Sequence, residues 1–226
     1  MASKANVAPI VSKMYCSSSQ ANFIVRRRPH VVNGGGFVVT NYSQNVAFRV
    51  DGCGTLGVEG EAILKNSDGE SLLVIRRKAH FTPSSIYVLS QINLHICTHN
   101  GGLVQALSIN RQWRGYKINY EGVEKLVFSL KEPVVCIIKK IPIRIKVEPG
   151  KNNWDFEVKG SFPDRACTII DSEGNIVAQV GVKNDLEEMI LCKDLYHVVV
   201  QPGCDQAFVF GVIAILDNIH GETTVC

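Results

Sequence analysis

Apolar positions in this chain fall in short, β-branched runs separated by polar residues with turn chemistry, seldom at the spacing of an amphipathic helix. Phe37-Val38-Val39-Thr40 and the run at 46–50 flank a polar turn and predict a hairpin. Ile63-Leu64 and the run at 72–75 flank Asn66-Ser67-Asp68-Gly69, where Asp-Gly supplies the positive φ of a tight turn, and predict a second. The runs at 167–170 and 176–180, around Asp171-Ser172-Glu173-Gly174, predict a third. Runs at 86–89, 103–109, 126–130, 134–138, 143–147, 154–158 and 196–200 add further strands. About a dozen strands at this spacing predict a closed barrel or a sandwich rather than an α/β fold.

One run breaks the pattern. After Pro202-Gly203 comes Asp205, a good N-cap, and then ten uninterrupted apolar residues from Ala207 to Leu216. Such a helix is about 15 Å long, half a bilayer core, so it does not span a membrane. Apolar on every face, it needs protein all around it, and a sheet closed about it meets that need. The alternative is a buried strand, for which ten residues are long. Residues 1–21 are polar, Ser-rich and aperiodic and predict a disordered tail, leaving one domain over 22–220 and a short tail at 221–226. Residues 37–50 align with 167–180 without a gap, sharing Asn45 and Asn175. Internal duplication explains this, and so does the general likeness of hairpins.

Composition agrees with the β reading, since Val and Ile total 49 residues against 26 for Ala and Leu. The net charge of +3 is uneven: residues 1–50 hold six cations and no acid, so the remainder is net acidic. This excludes a strongly basic nucleic-acid binder. The eight Cys are scattered with no C-x-x-C, and the start lacks the apolar stretch of a secretory signal. The expectation is a reducing, cytoplasmic setting without disulfides. An acid-free, Ser- and Arg-containing front also fits an organelle transit peptide, but strand patterning begins by residue 36, early for a long cleaved leader.

The stretch Asn153-Trp154-Asp155-Phe156-Glu157-Val158-Lys159-Gly160-Ser161-Phe162, continuing through Arg165-Ala166-Cys167 to Ile176-Val177-Ala178-Gln179-Val180, resembles the plant LURP-one-related proteins. Asp205-Gln206-Ala207-Phe208 through Ile213-Ala214-Ile215-Leu216-Asp217 is similar to their closing helix, and Gly36 to Thr40 with Val46 to Val50 fits their first hairpin. The resemblance implies a tubby C-terminal-like fold, a twelve-stranded barrel closed around a central apolar helix. It also implies a plant protein linked to basal defence, on a fold shared with phosphoinositide binders and phospholipid scramblases. No catalytic set comes with it, and the lipid-contacting positions of tubby proteins have no residue-by-residue match here.

Candidate chemistry is sparse. G-x-S-x-G, H-E-x-x-H and Walker A are absent. Gly34-Gly35-Gly36 leads into a strand rather than a helix N-terminus and reads as a turn. His95, Cys97 and His99 share one strand face, but neighbours on that face lie about 7 Å apart and no fourth metal ligand is evident. Glu187-Glu188 reads as a solvated loop. The basic clusters carry more. Arg26, Arg27 and Arg28, then Arg76, Arg77 and Lys78, then Lys139-Lys140, then Arg144 and Lys146, would attract anionic lipid head groups if they converge, at about 1 kcal/mol per cation. Solvation of an ordinary barrel exterior is the competing account. The expectation is a non-enzymatic, monomeric binding or scaffold protein without cofactor or metal. It would be cytoplasmic or peripheral at the plasma membrane, with anionic phospholipids (phosphoinositides) as partners at those eight positions. A protein-interaction module in defence signalling and an enzyme of unrecognised type are the alternatives.

Overall fold

A computed structural model describes residues 8–29, 34–52, 60–80, 110–119, 121–132, 142–150, 152–181 and 194–220. Twelve strands form one closed barrel. They are β1 (Ala21–Arg27), β2 (Gly36–Asn41), β3 (Val46–Gly52), β4 (Glu61–Asn66), β5 (Ser71–His80) and β6 (Asn110–Ile118), followed by β7 (Glu124–Lys131), β8 (Ile143–Val147), β9 (Phe156–Ser161), β10 (Ala166–Asp171), β11 (Ile176–Gly181) and β12 (Leu195–Val200). Each strand pairs antiparallel with its sequence neighbours, and β1 pairs with β12 to close the ring. The expected hairpins are β2–β3, β4–β5 and β10–β11, and the runs at 126–130, 143–147 and 196–200 lie in β7, β8 and β12. The run at 154–158 becomes strand only from Phe156. The runs at 86–89, 103–109 and 134–138 lie outside the described residues.

Two strands were not legible in the apolar pattern. β1 carries only Phe23-Ile24-Val25 as an apolar stretch and ends in arginines. β6 (Asn-Arg-Gln-Trp-Arg-Gly-Tyr-Lys-Ile) turns Trp113 and Gly115 inward and has one aliphatic residue, Ile118. Gly115 is needed there, because a Cβ would sit 2.3 Å from the Phe128 ring.

Four hairpins turn by one device. Asn41, Asn66, Asn119 and Asp171 each accept, through the side-chain oxygen, a hydrogen bond from the backbone N–H four residues on. Each also accepts, through its own carbonyl, a bond from the N–H three residues on. That third position has positive φ and is Gln44, Gly69, Gly122 or Gly174. All four hairpins shift register just before the turn. The likeness of 37–50 to 167–180 therefore belongs to a hairpin type used four times, and duplication is not required to explain it.

The expected helix is present as α1 (Gln206–His220), and every residue from Ala207 to Leu216 is buried. Its rings pack against the wall: Phe210 on Phe23 at 5.2 Å and on Phe48 at 5.2 Å, Phe208 on Phe128 at 5.3 Å and on Phe156 at 4.8 Å. Burial of each such side chain stabilises by about 1.5–3 kcal/mol. The barrel is the solvent-free sleeve that this run of residues demanded.

The expected tail differs. Residues 8–20 are ordered and cross the end of the barrel where α1 begins. Asp205 caps α1 by accepting from the Ala207 and Phe208 N–H groups with Oδ1, at 3.0 and 3.2 Å. Its Oδ2 accepts from the N–H groups of Val11 and Ser12, at 2.7 and 3.0 Å. Lys117 Nζ donates to the Val11 carbonyl at 2.7 Å, Gly203 N–H donates to the Ser17 carbonyl at 2.7 Å, and the Tyr15 ring packs on Phe48. A lone polar stretch gave no sign of this, because its partner lies 194 residues away.

Candidate functional site

Alternation along a strand decides where the basic clusters point, since successive side chains face opposite sides. In Arg26-Arg27-Arg28 the middle residue turns inward. Arg27 reaches Asp194 at 3.2 Å and, at the end of α1, Asp217 at 2.8 Å. In Arg76-Arg77-Lys78 the middle residue again turns inward, with its guanidinium 5.9 Å from the Trp113 ring centre. Three consecutive cations on a strand thus never make a three-cation surface.

The outward residues divide into two groups. On β5–β8 the register sets Arg76 opposite Arg114, Arg114 opposite Ser129, and Ser129 opposite Lys146. One row along, Lys78 faces Gln112, which faces Lys131, and Arg144 follows on β8. At about 4.8 Å per strand these rows are about 14 Å wide. Two expected clusters, Arg76/Lys78 and Arg144/Lys146, therefore share one wall, and Arg114 and Lys131 fill the space between them. Arg114 has no apolar alternation around it to mark a strand, and Lys131 lies one residue beyond the apolar run at 126–130.

Carboxylates border this wall without covering it. Arg76 binds Glu61 at 2.7 Å and Glu124 at 2.8 Å, and lies over Tyr116. Arg144 binds Glu157 at 3.0 Å and lies 5.1 Å from the Trp154 ring centre. Lys146 is 3.6 Å from Glu148. Arg114 is held instead by the neutral Gln112 amide oxygen, at 3.0 and 3.2 Å. Among the described residues no carboxylate pairs with Lys78, Arg114 or Lys131.

The second group lies on β1–β4. Arg26, Val38, Arg49 and Lys65 are opposite one another in a row. Arg28, Arg49 and Lys65 all bind Asp51. Burial pushes the Asp51 carboxyl up, but hydrogen bonds from Arg49, Arg28 and Lys65 outweigh it and hold the pKa at about 2. With about 30° per strand in a twelve-stranded ring, β1 and β8 lie about 150° apart, so the eight expected positions do not form one face.

The other candidates are quickly placed. His95, Cys97, His99, Lys139, Lys140, Glu187 and Glu188 lie outside the described residues. Among the described residues no group of three His, Cys, Asp or Glu is arranged to hold a metal ion, and no helix is long and apolar enough to cross a membrane. Gly34, Gly35 and Gly36 all have positive φ and lead into β2, as a turn does.

These features define a class, that of up-and-down antiparallel barrels filled by a C-terminal apolar helix and bearing a basic outer wall. Within it, the LURP-one-related family model matches residues 21–217. The chain belongs to the LURP-one-related family. It is 49% identical over 218 residues to protein LURP-one-related 6 of Arabidopsis thaliana, covering 96% of this chain and 98% of that one. It is 44% identical to protein LURP-one-related 16 of the same plant, covering 99% and 98%. An X-ray structure of another Arabidopsis thaliana protein has the same fold, with a TM-score of 0.60 at 19% identity, over 95% of this chain and 99% of that one.

Proposed function

We propose that this protein is a non-enzymatic binding domain that docks on anionic, phosphoinositide-bearing membrane through the β5–β8 wall, on the cytoplasmic side of the plasma membrane and in the service of plant defence. One observation carries the reading. Arg76 and Arg114 stand directly opposite each other on neighbouring strands, with Lys78, Lys131, Arg144 and Lys146 around them. Arg76, Arg144 and Lys146 already have carboxylate partners, whereas among the described residues Lys78, Arg114 and Lys131 have none, and like charge left uncompensated on neighbouring strands costs stability that an external anion would recover. The helix-filled interior supports a binding role over catalysis, since the core of the barrel is packed side chains. The β1–β4 cations are a weaker surface, because three of them share Asp51.

Vesicle sedimentation tests this. Binding is expected to phosphoinositide-containing vesicles and not to neutral phosphatidylcholine. Arg114→Ala with Lys131→Ala should weaken it about 30-fold, at about 1 kcal/mol per cation. Arg26→Ala with Arg49→Ala should change it less than about threefold by the same rule. Equal binding to both vesicles, or none, ends the lipid proposal, and a reversed order of the two variants moves the site to β1–β4.

A further inference from the structure

On the far side of the barrel from the basic wall, an open groove of about 480 Å³ runs over the outer face of β1, β12, β11 and β10. That size is within the ~300–1,000 Å³ typical of small-molecule sites. In a chain that is 20% Asp, Glu, Lys and Arg, none of the ten described residues lining the groove is one of these.

The register explains its construction. Thr168 is opposite Gln179, Gln179 is opposite Val199, and Val199 is opposite Asn22, so a hydroxyl and two amides cross the face in one row, interrupted by a valine. Amides and hydroxyls donate and accept at once. Asn22 is oriented by Gln20, whose Nε2 donates to Asn22 Oδ1 at 3.3 Å. At one side Tyr42 folds from the β2–β3 turn toward His197, with ring centres 6.4 Å apart, and the tyrosine is 55% exposed.

Gly181 is the independent clue. It pairs with His197 and lines the groove. Its φ is not positive, and among the described residues an added Cβ would meet only the Arg165 carbonyl oxygen, at 3.9 Å. Among the described residues neither backbone conformation nor packing calls for glycine here, although glycine weakens a strand. What its small size does is keep the groove open, and strand glycines often mark the close approach of a ligand.

We infer that this groove binds a neutral, hydroxyl-rich ligand, an oligosaccharide. Phosphorylated and carboxylated ligands would find no cation among its described lining residues, Lys159 standing one strand further on, opposite Thr168. An apolar ligand would strip water from the Thr168, Gln179 and Asn22 groups and leave their hydrogen bonds unmade. An extended peptide adds to a sheet at an edge, and the described ring is closed. A sugar offers what remains, with hydroxyls for the amide row and an apolar ring face for Tyr42. The site is separate from the basic wall, so its fate does not depend on lipid binding.

Titration of the ¹⁵N-labelled full chain with cellotetraose, laminaritetraose and maltotetraose, followed by NMR, tests it. At least one sugar should give saturable shifts centred on the amides of Thr168, Gln179 and Val199. Gly181→Val should weaken that binding at least about tenfold, since a side chain replaces ligand contacts in the groove. If Gly181→Val fails to fold, Gln179→Ala with Thr168→Ala, both on the outer face, serves instead and should have the same effect. No saturable shift with any of the three, shifts centred elsewhere, or binding retained in the folded variants would overturn the inference.

Discussion

Asp51 concentrates more charge than its surroundings advertise. Arg49 on β3, Lys65 on β4 and Arg28, just past the end of β1, meet at one carboxylate, which the resulting bonds hold at about 2 against an ordinary 3.8. A carboxyl with a depressed folded-state pKa contributes stability that is fully present above its unfolded value and lost as pH falls through the folded one. Stability should therefore drop between about pH 4 and pH 2. Asp51→Asn should be less stable at neutral pH and show a shallower loss over that window, as urea unfolding at a series of pH values would measure. The neighbouring residues teach a related point. Arg26, Arg27 and Arg28 look equivalent as letters, yet Arg27 binds Asp194 and Asp217 inside while Arg26 is exposed. Period-two alternation contained that difference, and a count of basic residues does not.

At the scale of elements, the repeated turn is the clearest case of local sequence dictating local structure. An Asn or Asp opens it, and a residue with positive φ follows three positions later. In three of the four the latter is glycine, but in the β2–β3 turn it is Gln44, with φ 62°. A side chain in that region costs about 1–2 kcal/mol, and glycine gives back part of the relief through its flexible unfolded state. Gln44→Gly should stabilise by about 0.5–1 kcal/mol, seen as a raised thermal midpoint with unchanged far-UV circular dichroism. Hairpins of this kind were legible because apolar runs bracket their turns. β6 was not, since its inward face is Trp113 and Gly115, and the space that makes Gly115 necessary is occupied by Phe128 from β7.

The whole molecule is organised around α1, and Asp205 joins its start to the opposite end of the chain. One oxygen caps the helix and the other holds Val11 and Ser12, so removing the side chain undoes both. Asp205→Ala should cost about 3 kcal/mol, combining a lost cap of about 1 with about 2 for buried N–H groups left without an acceptor. Asp205→Asn keeps an acceptor for the cap and should lose about 1 kcal/mol. Urea unfolding would measure both, and limited proteolysis within residues 8–17 should quicken in the Ala variant alone. The amino-acid sequence by itself determined the β architecture and the buried helix, because β-branched runs, Asn-to-Gly turns and a ten-residue apolar stretch each act through near neighbours. Only the tertiary structure decided which cations meet, that an apparent tail is a fastened strap, and that a polar groove crosses β1 and β10–β12. Each of these depends on strands and segments far apart in the chain being brought into register, and no local pattern encodes that distance.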